Sequence, residues 1–281
     1  MNPVTNPFAP GAGTRPPELA GRDSLRETVR IAVERVRRGL PTKRVLMVGL
    51  RGVGKTVLLD RMRDEAEGEG IQTMRVEAPE ARSLPALLAP ELRVALLRLS
   101  RNQAAKAMAL RALGGLAGFA KALKVKYGDI EVGFDREPEP GLADNGDLEH
   151  DLPDLLETVG GAARDGGTAL ILFIDELQYV PETELAALIV ALHRTAQRGL
   201  PVAMVGAGLP QLRGNMGKAK SYAERLFDFP VIGPLDEPAA RTAIAKPLQS
   251  NQVAIDDDAL AQVVLETQGY PYFLQEWGKQ A

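Results

Sequence analysis

Cysteine is absent from the 281-residue sequence, and histidine occurs only twice, at His150 and His193. Without thiols the chain can form neither disulfides nor cysteine-based metal or nucleophilic sites, and two histidines leave little material for a zinc centre. An excess of one charge is lacking too, because 34 Lys and Arg residues face 37 Asp and Glu residues, for a net charge of -3. These absences argue against a transition-metal enzyme and against a global basic field for nucleic acid.

Long uncharged apolar runs are also missing, so no segment is predicted to cross a bilayer or to interact with a membrane. The first residues are rich in Pro and Gly, without the cationic start and apolar run of a secretion signal. We therefore expect a cytoplasmic protein whose residues 1–18 form an extended arm. A hydrophobic fraction of 45% is sufficient for a sizeable buried core.

Short apolar runs alternate with helical patterns, which indicates an α/β fold with a parallel sheet and helices on both faces. Asp23 is predicted to cap a first helix that ends near Arg38. A second helix should follow the first strand and stop at residues 68–70. Strands are predicted at 44–48, 71–76, 169–174 and 202–205, with a fifth candidate at 228–235.

The stretch between the second and third predicted strands is unusually long, and we interpret residues 85–150 as an insertion in a core that spans 19–235. Residues 85–123 read as helical and are rich in Ala and Leu. Residues 124–135 alternate apolar and polar, which predicts a hairpin around a Gly128-Asp129 turn. That register pairs Tyr127 with Ile130, Val125 with Val132, and Lys126 with Glu131.

Strand patterns cease after residue 235, and three helix starts follow. They lie at Asp236-Glu237-Pro238, at residues 256–258 and at Pro271, with Gly269 closing the second helix. We predict a small helical lid over residues 236–281. The last helical pattern has no terminal Gly, Asn or Pro, so we expect the parent protein to continue beyond Ala281.

One segment, GLRGVGKT at residues 49–56, fits the phosphate-loop pattern G-x-x-x-x-G-K-[ST]. Its glycines permit positive φ, so that successive backbone N–H groups converge on phosphate oxygens. Lys55 adds charge on the β- and γ-phosphates, and the Thr56 hydroxyl can ligate Mg²⁺. We predict ATP, or a related nucleoside triphosphate, and Mg²⁺ as cofactors. The nucleotide-binding set comprises Gly49, Leu50, Arg51, Gly52, Val53, Gly54, Lys55, Thr56 and Val57.

Two acids, Asp175 and Glu176, follow the third predicted strand. Open α/β sheets bind ligands at the carboxyl ends of their strands, where this pair should lie. We predict that Asp175 holds Mg²⁺ through water, and that Glu176 orients and polarises the water that attacks the γ-phosphate. An acid pair alone is usually a solvated turn, and the phosphate loop makes the catalytic interpretation the favoured one.

These motifs, with Leu19-Ala20-Gly21-Arg22-Asp23, the VAMVG strand at 202–206 and Gly269-Tyr270-Pro271, resemble the AAA+ superfamily of P-loop ATPases. Within it, the chain is most similar to origin-recognition-complex-like and STAND-type members. The resemblance implies that GLRGVGKT is the Walker A motif and that the acid pair belongs to the Walker B motif. It also implies that Leu19 and Arg22 lie near the adenosine, and that Pro271 touches the base or sugar. The helical tail would then be the lid.

Arg225 precedes the fifth predicted strand, where the superfamily often places an arginine finger, so it is the leading candidate for that role. Arg51 and Arg213 are weaker candidates, and an arginine at a helix end is more often simply solvated. The chain departs from AAA+ motors at residues 206–208 (GAG), where a polar sensor is usual; Gln211 is the next amide. No arginine follows Pro271 at a second-sensor position, which is occupied by Gln275, Glu276 and Lys279. We therefore expect slow hydrolysis.

The leading functional hypothesis is an ATP-driven switch, in which the nucleotide closes the lid and alters a surface for a protein partner or for self-association. Two alternatives stay open. One is a nucleotide-dependent scaffold without hydrolysis, and the other is a small-molecule phosphotransferase, which would need an acceptor pocket. A DNA partner is weakly indicated, because acids interrupt the basic cluster of the first helix. That cluster comprises Arg26, Arg30, Arg35, Arg37, Arg38, Lys43 and Arg44.

Overall fold

The computed structural model describes residues 4–11, 13–80, 82–127, 130–131 and 137–280, and it contains two sheets. Five strands form a parallel sheet in the order β2-β5-β6-β1-β7, and β3 and β4 form a separate antiparallel hairpin. The strands are β1 (Arg44–Val48), β2 (Gln72–Glu77), β3 (Lys126–Tyr127), β4 (Ile130–Glu131), β5 (Leu170–Asp175), β6 (Val202–Gly208) and β7 (Phe227–Asp228). The predicted α/β class with a parallel sheet is confirmed.

Helices cover both faces of the large sheet, which explains why its strands read as continuous apolar runs. Alternate residues of β1, β5 and β6 enter two hydrophobic clusters, one with α1 and α2, the other with α3 to α8. The helices are α1 (Asp23–Arg37), α2 (Lys55–Gly68), α3 (Leu84–Leu99), α4 (Lys106–Ala122), α5 (Leu148–Asp165), α6 (Glu182–Gln197), α7 (Leu212–Ala219), α8 (Ala223–Leu226), α9 (Glu237–Ser250), α10 (Asp257–Thr267) and α11 (Pro271–Gln280). No helix of the described residues is long and apolar enough to cross a membrane.

Every predicted strand of the large sheet is present, but several observed strands differ from the predicted ones in their first or last residue. β1 has the predicted bounds, β2 and β5 lie one residue further along the chain, and β6 continues to Gly208. The fifth strand, predicted at 228–235, is reduced to the two residues of β7. The chain stays beside β1 after β7, since Val48 N donates to Pro230 O at 3.0 Å and Ile232 N donates to Val48 O at 2.7 Å. Prolines at 230 and 234 lack an N–H group and prevent a continuous ladder.

The structure tests the predicted N-terminal residues of three helices, α1, α9 and α11. Asp23 does not cap α1, which is a correction: it is the first helical residue, and Arg22 stands at the cap position without a side-chain cap. The Asp23 carboxylate instead pairs with Arg26 at 2.7 Å, one turn along. Asp236 does cap α9, because its carboxylate accepts a hydrogen bond from Ala239 N at 2.9 Å. α11 begins at Pro271, as predicted.

The segment predicted as an insertion supplies α3, α4 and the hairpin. The two helices share a hydrophobic cluster with α5, α6 and the sheet, and Leu84, Leu88, Leu92 and Leu96 of α3 are fully buried. In the hairpin, Lys126 pairs with Glu131 and Tyr127 with Ile130, which is the predicted register. The predicted Gly128-Asp129 turn and the pairing of Val125 with Val132 lie outside the described residues.

The three terminal helices, α9 to α11, form a hydrophobic cluster of their own, and the N-terminal arm joins it. Phe8 of the arm is 3% exposed and packs on Gly278 of α11. Asn6 Nδ2 donates to the carbonyl oxygens of Gly278 and Lys279 at 3.3 and 3.1 Å. Further along, Arg15 forms an ion pair of 3.0 Å with Asp64 of α2. The arm therefore spans from the terminal helices to the α/β core.

Candidate functional site

The phosphate loop connects β1 to α2, and its shape depends on its glycines. Gly52 and Gly54 have φ of 78° and 89°, and Gly54 stands at the cap of α2. A Cβ atom on Gly49 would lie 2.2 Å from the carbonyl oxygen of Ile232, so only glycine fits there. The free N–H groups at the start of α2 lie next to this loop and provide a site for an anion.

Lys55 is the first residue of α2, and only 6% of it is exposed. Its ammonium donates to the carbonyl oxygen of Leu50 in the same loop at 2.8 Å. Burial lowers the pKa of Lys55, while the nearby carboxylates of Glu176 and Asp175 act to raise it. The ammonium therefore lies within the loop at the start of α2, where an anionic ligand would bind.

A cavity of about 940 Å³ opens between the phosphate loop, the N-terminal arm and α11. This volume lies at the upper end of the range for ligand sites, about 300–1,000 Å³. Most of the predicted nucleotide-binding and catalytic residues line it. They are Leu19, Arg22, Arg51, Gly52, Val53, Gly54, Lys55, Thr56, Val57, Glu176 and Pro271.

Four predicted residues lie elsewhere. Gly49 packs beneath the loop against Ile232, and the Leu50 side chain is exposed to solvent. Asp175 is buried beside the cavity and is not among the lining residues. Arg225 is exposed on α8, so the structure does not bring it to the cavity of its own chain.

Aromatic residues of α11 and of the turn before it were not predicted to line the site. Tyr270, Tyr272 and Phe273 form a cluster with ring centroids 5.4 and 5.7 Å apart, and all three line the cavity. Tyr272 N donates to Gly52 O at 3.2 Å, and the Tyr270 hydroxyl donates to Arg51 O. These bonds attach the start of α11 directly to the phosphate loop.

The arm also contributes lining residues that sequence patterns did not indicate. They are Ala9, Pro10, Gly11, Gly13, Thr14, Pro16 and Glu18. A Pro- and Gly-rich segment without periodicity predicts an extended chain, but it does not predict which surface the chain crosses. Gln275 of α11 lines the cavity too, and its buried Oε1 has no hydrogen-bond partner among the described residues.

Asp175 ends β5, and its carboxylate has partners on both sides. Its Oδ1 accepts a hydrogen bond from Glu176 N at 2.9 Å, and its Oδ2 lies 3.3 Å from Nη2 of Arg75. Arg75 comes from the neighbouring strand β2 and also pairs with Asp60 of α2 at 2.6 Å. Sequence reasoning missed Arg75, although an arginine between two buried strand residues, Met74 and Val76, is a signal that it has a specific partner.

Glu176 has the left-handed backbone conformation, with φ 54° and ψ 34°, which is uncommon outside glycine. A 3-10 turn, Leu177–Tyr179, follows at once. The Glu176 carboxylate accepts a hydrogen bond from Nε2 of Gln178. Strained residues of this kind cluster at active sites, where surrounding contacts hold them in place.

The donor set near Lys55 fits Mg²⁺ bound together with phosphates. The Thr56 hydroxyl lines the cavity and the Asp175 carboxylate is buried beside it, and hydroxyl and carboxylate oxygens are ligands that Mg²⁺ takes. Across the part of the chain that the structure describes, no group of three or more acids and histidines could hold a metal on its own. Mg²⁺ sites of nucleotide enzymes usually combine one or two protein oxygens with phosphates and water.

The other arginine-finger candidates differ in their surroundings. Arg51 lines the cavity, and its guanidinium donates to the Tyr179 hydroxyl at 2.9 Å. Arg213 pairs with Glu224 at 3.2 Å and lies over the Phe229 ring. Of the three candidates, only Arg51 reaches the site within one chain.

The basic cluster around α1 is largely neutralised by acids. Arg30 pairs with Glu27 at 2.7 Å, and Arg38 pairs with Glu34 at 2.7 Å. Arg44 is buried, and burial lowers its pKa to about 10. Other members follow the same pattern: Arg26 pairs with Glu65, Arg37 with Glu34 and Lys43 with Asp228, while Arg35 donates to the carbonyl of Pro41.

Comparison with known proteins adds a family and several structures. A family model described as an AAA ATPase domain matches residues 18–205. A Walker-type ATPase of Pyrococcus abyssi has a TM-score of 0.56 and 16% identity, over 97% of this chain and 70% of that one. The Aeropyrum pernix ORC1 protein in complex with DNA has a TM-score of 0.52 and 16% identity, over 94% of this chain and 60% of that one.

The replication initiator DnaA bound to AMPPCP and single-stranded DNA has a TM-score of 0.50 and 13% identity, over 92% of this chain and 60% of that one. At these identities the likeness shows the fold. The chain spans 60% of the length of the ORC1 and DnaA structures. No curated protein sequence matches it.

Proposed function

The chain belongs to the AAA ATPase family, as an AAA+ P-loop protein similar to origin-recognition ATPases, and on this premise we propose that it is an ATP-driven conformational switch with slow, Mg²⁺-dependent hydrolysis. The observation that carries the proposal is a single cavity shared by the phosphate loop, Glu176 and α11. In that arrangement one ligand touches both the α/β core and the terminal helices.

ATP binding rests on the phosphate loop and the elements around it. The N–H groups of residues 49–56 and the Lys55 ammonium would hold the phosphates. Leu19, Arg22 and Pro271 would contact the adenosine at the opposite side of the cavity. The Arg22 guanidinium donates to the carbonyl oxygen of Gly233, and burial lowers its pKa while Asp236 acts to raise it. This contact positions Arg22 at the cavity wall.

Hydrolysis would use Glu176, which lines the cavity, to orient and polarise a water molecule. Thr56, with Asp175 acting through water, would hold Mg²⁺, which supplies charge neutralisation on the phosphates when bound. The turnover should be slow, because residues 206–208 at the end of β6 are Gly, Ala and Gly and offer no polar side chain.

Switching rests on the direct bonds between α11 and the phosphate loop. Since Tyr270 and Tyr272 bond to loop carbonyls, the loop conformation that phosphates select also affects the start of α11. A ligand that binds one arrangement of core and terminal helices more tightly shifts the population toward it. The surface so altered would receive a protein partner or a second copy, and Arg225 is exposed for a contact in trans.

Phosphate release by purified protein with ATP and Mg²⁺ tests this proposal. We expect slow turnover in the parent and loss of turnover in Glu176→Gln with ATP affinity retained. Glu182→Gln should keep the parental turnover, because Glu182 is an exposed acid at the start of α6. The assay is repeated with duplex DNA, because the similar ORC1 structure is a DNA complex. Equal turnover in Glu176→Gln and the parent would remove Glu176 from this role.

One observation favours a second candidate, a nucleotide-dependent scaffold that does not hydrolyse ATP. Asp175 is engaged in an ion pair with Arg75 and does not line the cavity. Tight ATP binding with no phosphate released over many hours would support this scaffold. Phosphate transferred to an added small acceptor, in place of release into solution, would instead indicate a phosphotransferase.

A further inference from the structure

Gln178 lies in the 3-10 turn after the acid pair, and its amide makes contacts in two directions. Its Nε2 donates to Oε2 of Glu176, and its Oε1 accepts a hydrogen bond from the backbone N–H of Leu209 at 3.0 Å. Leu209 follows the last residue of β6. The two partners fix which amide atom is which, because a carboxylate only accepts and a backbone N–H only donates.

Small residues at the end of β6 make room for this turn. A Cβ atom on Gly208 would lie 2.7 Å from Oε1 of Gln178, and a Cβ atom on Gly206 would lie 2.4 Å from Leu177 Cδ1. These are the residues whose lack of polar side chains distinguishes the chain from AAA+ motors. An amide group therefore does lie beside the end of β6, and it belongs to Gln178 in the turn that follows β5.

We propose that Gln178 is a positioning residue for ATP hydrolysis, which holds the Glu176 carboxylate and fixes it to the end of β6. The proposal rests on the proposed role of Glu176 as the group that polarises water. A glutamate side chain has three rotatable bonds, and a donor on one carboxylate oxygen restricts them while the other oxygen stays available for water. In metal sites, mutation of a residue that holds a ligand in this way typically lowers metal affinity or activity about 10- to 100-fold.

The same contacts connect Glu176 to a surface helix. Leu209 O accepts a hydrogen bond from the N–H of Leu212, the first residue of α7, at 2.9 Å. α7 carries Arg213 and precedes α8, which carries Arg225. A displacement of α7 would therefore move Leu209, and through Gln178 it would move the Glu176 carboxylate.

Two substitutions separate the two bonds. Gln178→Met removes both and keeps the length of the side chain, whereas Gln178→Glu keeps the acceptor for Leu209 N–H, loses the donor to Glu176 and adds a like charge. Gln197→Met is the matched control, because Gln197 is an exposed amide at the end of α6. The readouts are phosphate release under saturating ATP, ATP affinity by calorimetry and the thermal midpoint.

We expect both Gln178 variants to lower kcat about 10-fold or more, with ATP affinity and thermal midpoint close to those of the parent. We expect Gln197→Met to match the parent. Parental kcat in Gln178→Glu would show that the bond to Glu176 is dispensable and would overturn the proposal. A joint loss of affinity, stability and turnover in Gln178→Met would assign Gln178 a structural role instead. A parent that releases no phosphate would refute the proposed hydrolysis itself, and a turnover that Glu176→Gln leaves unchanged would refute its dependence on Glu176.

Discussion

Truncation of Phe8 tests whether the N-terminal arm forms part of the nucleotide site. The Phe8 ring is 3% exposed in the cluster of the terminal helices. Removal of a buried Phe side chain costs about 3–5 kcal/mol, so Phe8→Ala should weaken docking of the arm by about 100-fold or more. Because Ala9, Pro10, Gly11, Gly13 and Thr14 of the arm line the cavity, ATP must then redock the arm as it binds, and its apparent affinity falls with the docked fraction.

Gly278→Ala tests the same contact from the opposite side. A Cβ atom there would lie 2.5 Å from the Phe8 ring, so it should displace the arm as well. If both changes act through one contact, the double variant should bind ATP no more weakly than the worse single variant. Val4→Ala is the control, because Val4 belongs to the same arm and is 91% exposed.

The assay is calorimetric titration with a non-hydrolysable ATP analogue, combined with hydrogen exchange of the arm. We expect Phe8→Ala to speed hydrogen exchange in the arm and to lower ATP affinity by no more than the factor by which docking of the arm weakens, about 100-fold or more. The thermal midpoint of the α/β core should change little, because Phe8 belongs to the hydrophobic cluster of the terminal helices. Faster exchange in the arm with parental ATP affinity would refute the reasoning, since the arm would then be dispensable for binding.

Four further outcomes are expected. Lys55→Met should weaken ATP binding by more than about 2 kcal/mol in calorimetry, and an unchanged affinity would exclude the phosphate loop as the site. Gly49→Ala should lower the unfolding free energy by about 1–3 kcal/mol in urea, because its Cβ would lie 2.2 Å from a backbone oxygen. If Arg225 acts in trans, turnover per subunit should rise with protein concentration, and Arg225→Ala should lower turnover and abolish that rise while ATP binding persists. A parent protein that stays monomeric, with an Arg225→Ala variant of equal turnover, would contradict this. Burial raises the pKa of Glu184, so the folded protein loses stability as the pH rises through that pKa and the carboxyl group ionises. The unfolding free energy of Glu184→Gln should therefore match that of the parent at about pH 4 and exceed it at about pH 8.

Local patterns were enough to predict the centre of the fold and the main candidates of the site. β1, the phosphate loop and α2 are consecutive in sequence, and a strand buried on both faces reads as a continuous apolar run. The acid pair was predicted beside the loop for a similar reason, since parallel strands end at one edge. These inferences needed no knowledge of which strands are neighbours.

What could not be predicted depends on neighbours that are distant in sequence. Arg75 meets Asp175 because β2 pairs with β5, and Gln178 meets Leu209 because β5 pairs with β6. The arm has no periodic pattern, so its path over the cavity leaves no sequence signal. The short β7 was overestimated because apolar content suggested a strand, while the prolines at 230 and 234 withhold the N–H groups that a longer one needs.

The strand order of the large sheet has a consequence for the opposite charges of the site. β6 lies between β1 and β5, so the loop that follows β1 and the acids that follow β5 are two strand spacings apart, or about 10 Å. On adjacent strands, a lysine and a glutamate at these positions could neutralise each other as a resting ion pair. Here the hydrogen-bond partner of the Lys55 ammonium is a loop carbonyl. The intervening strand thus acts as a spacer whose width leaves room between the opposite charges for a phosphate and a water molecule.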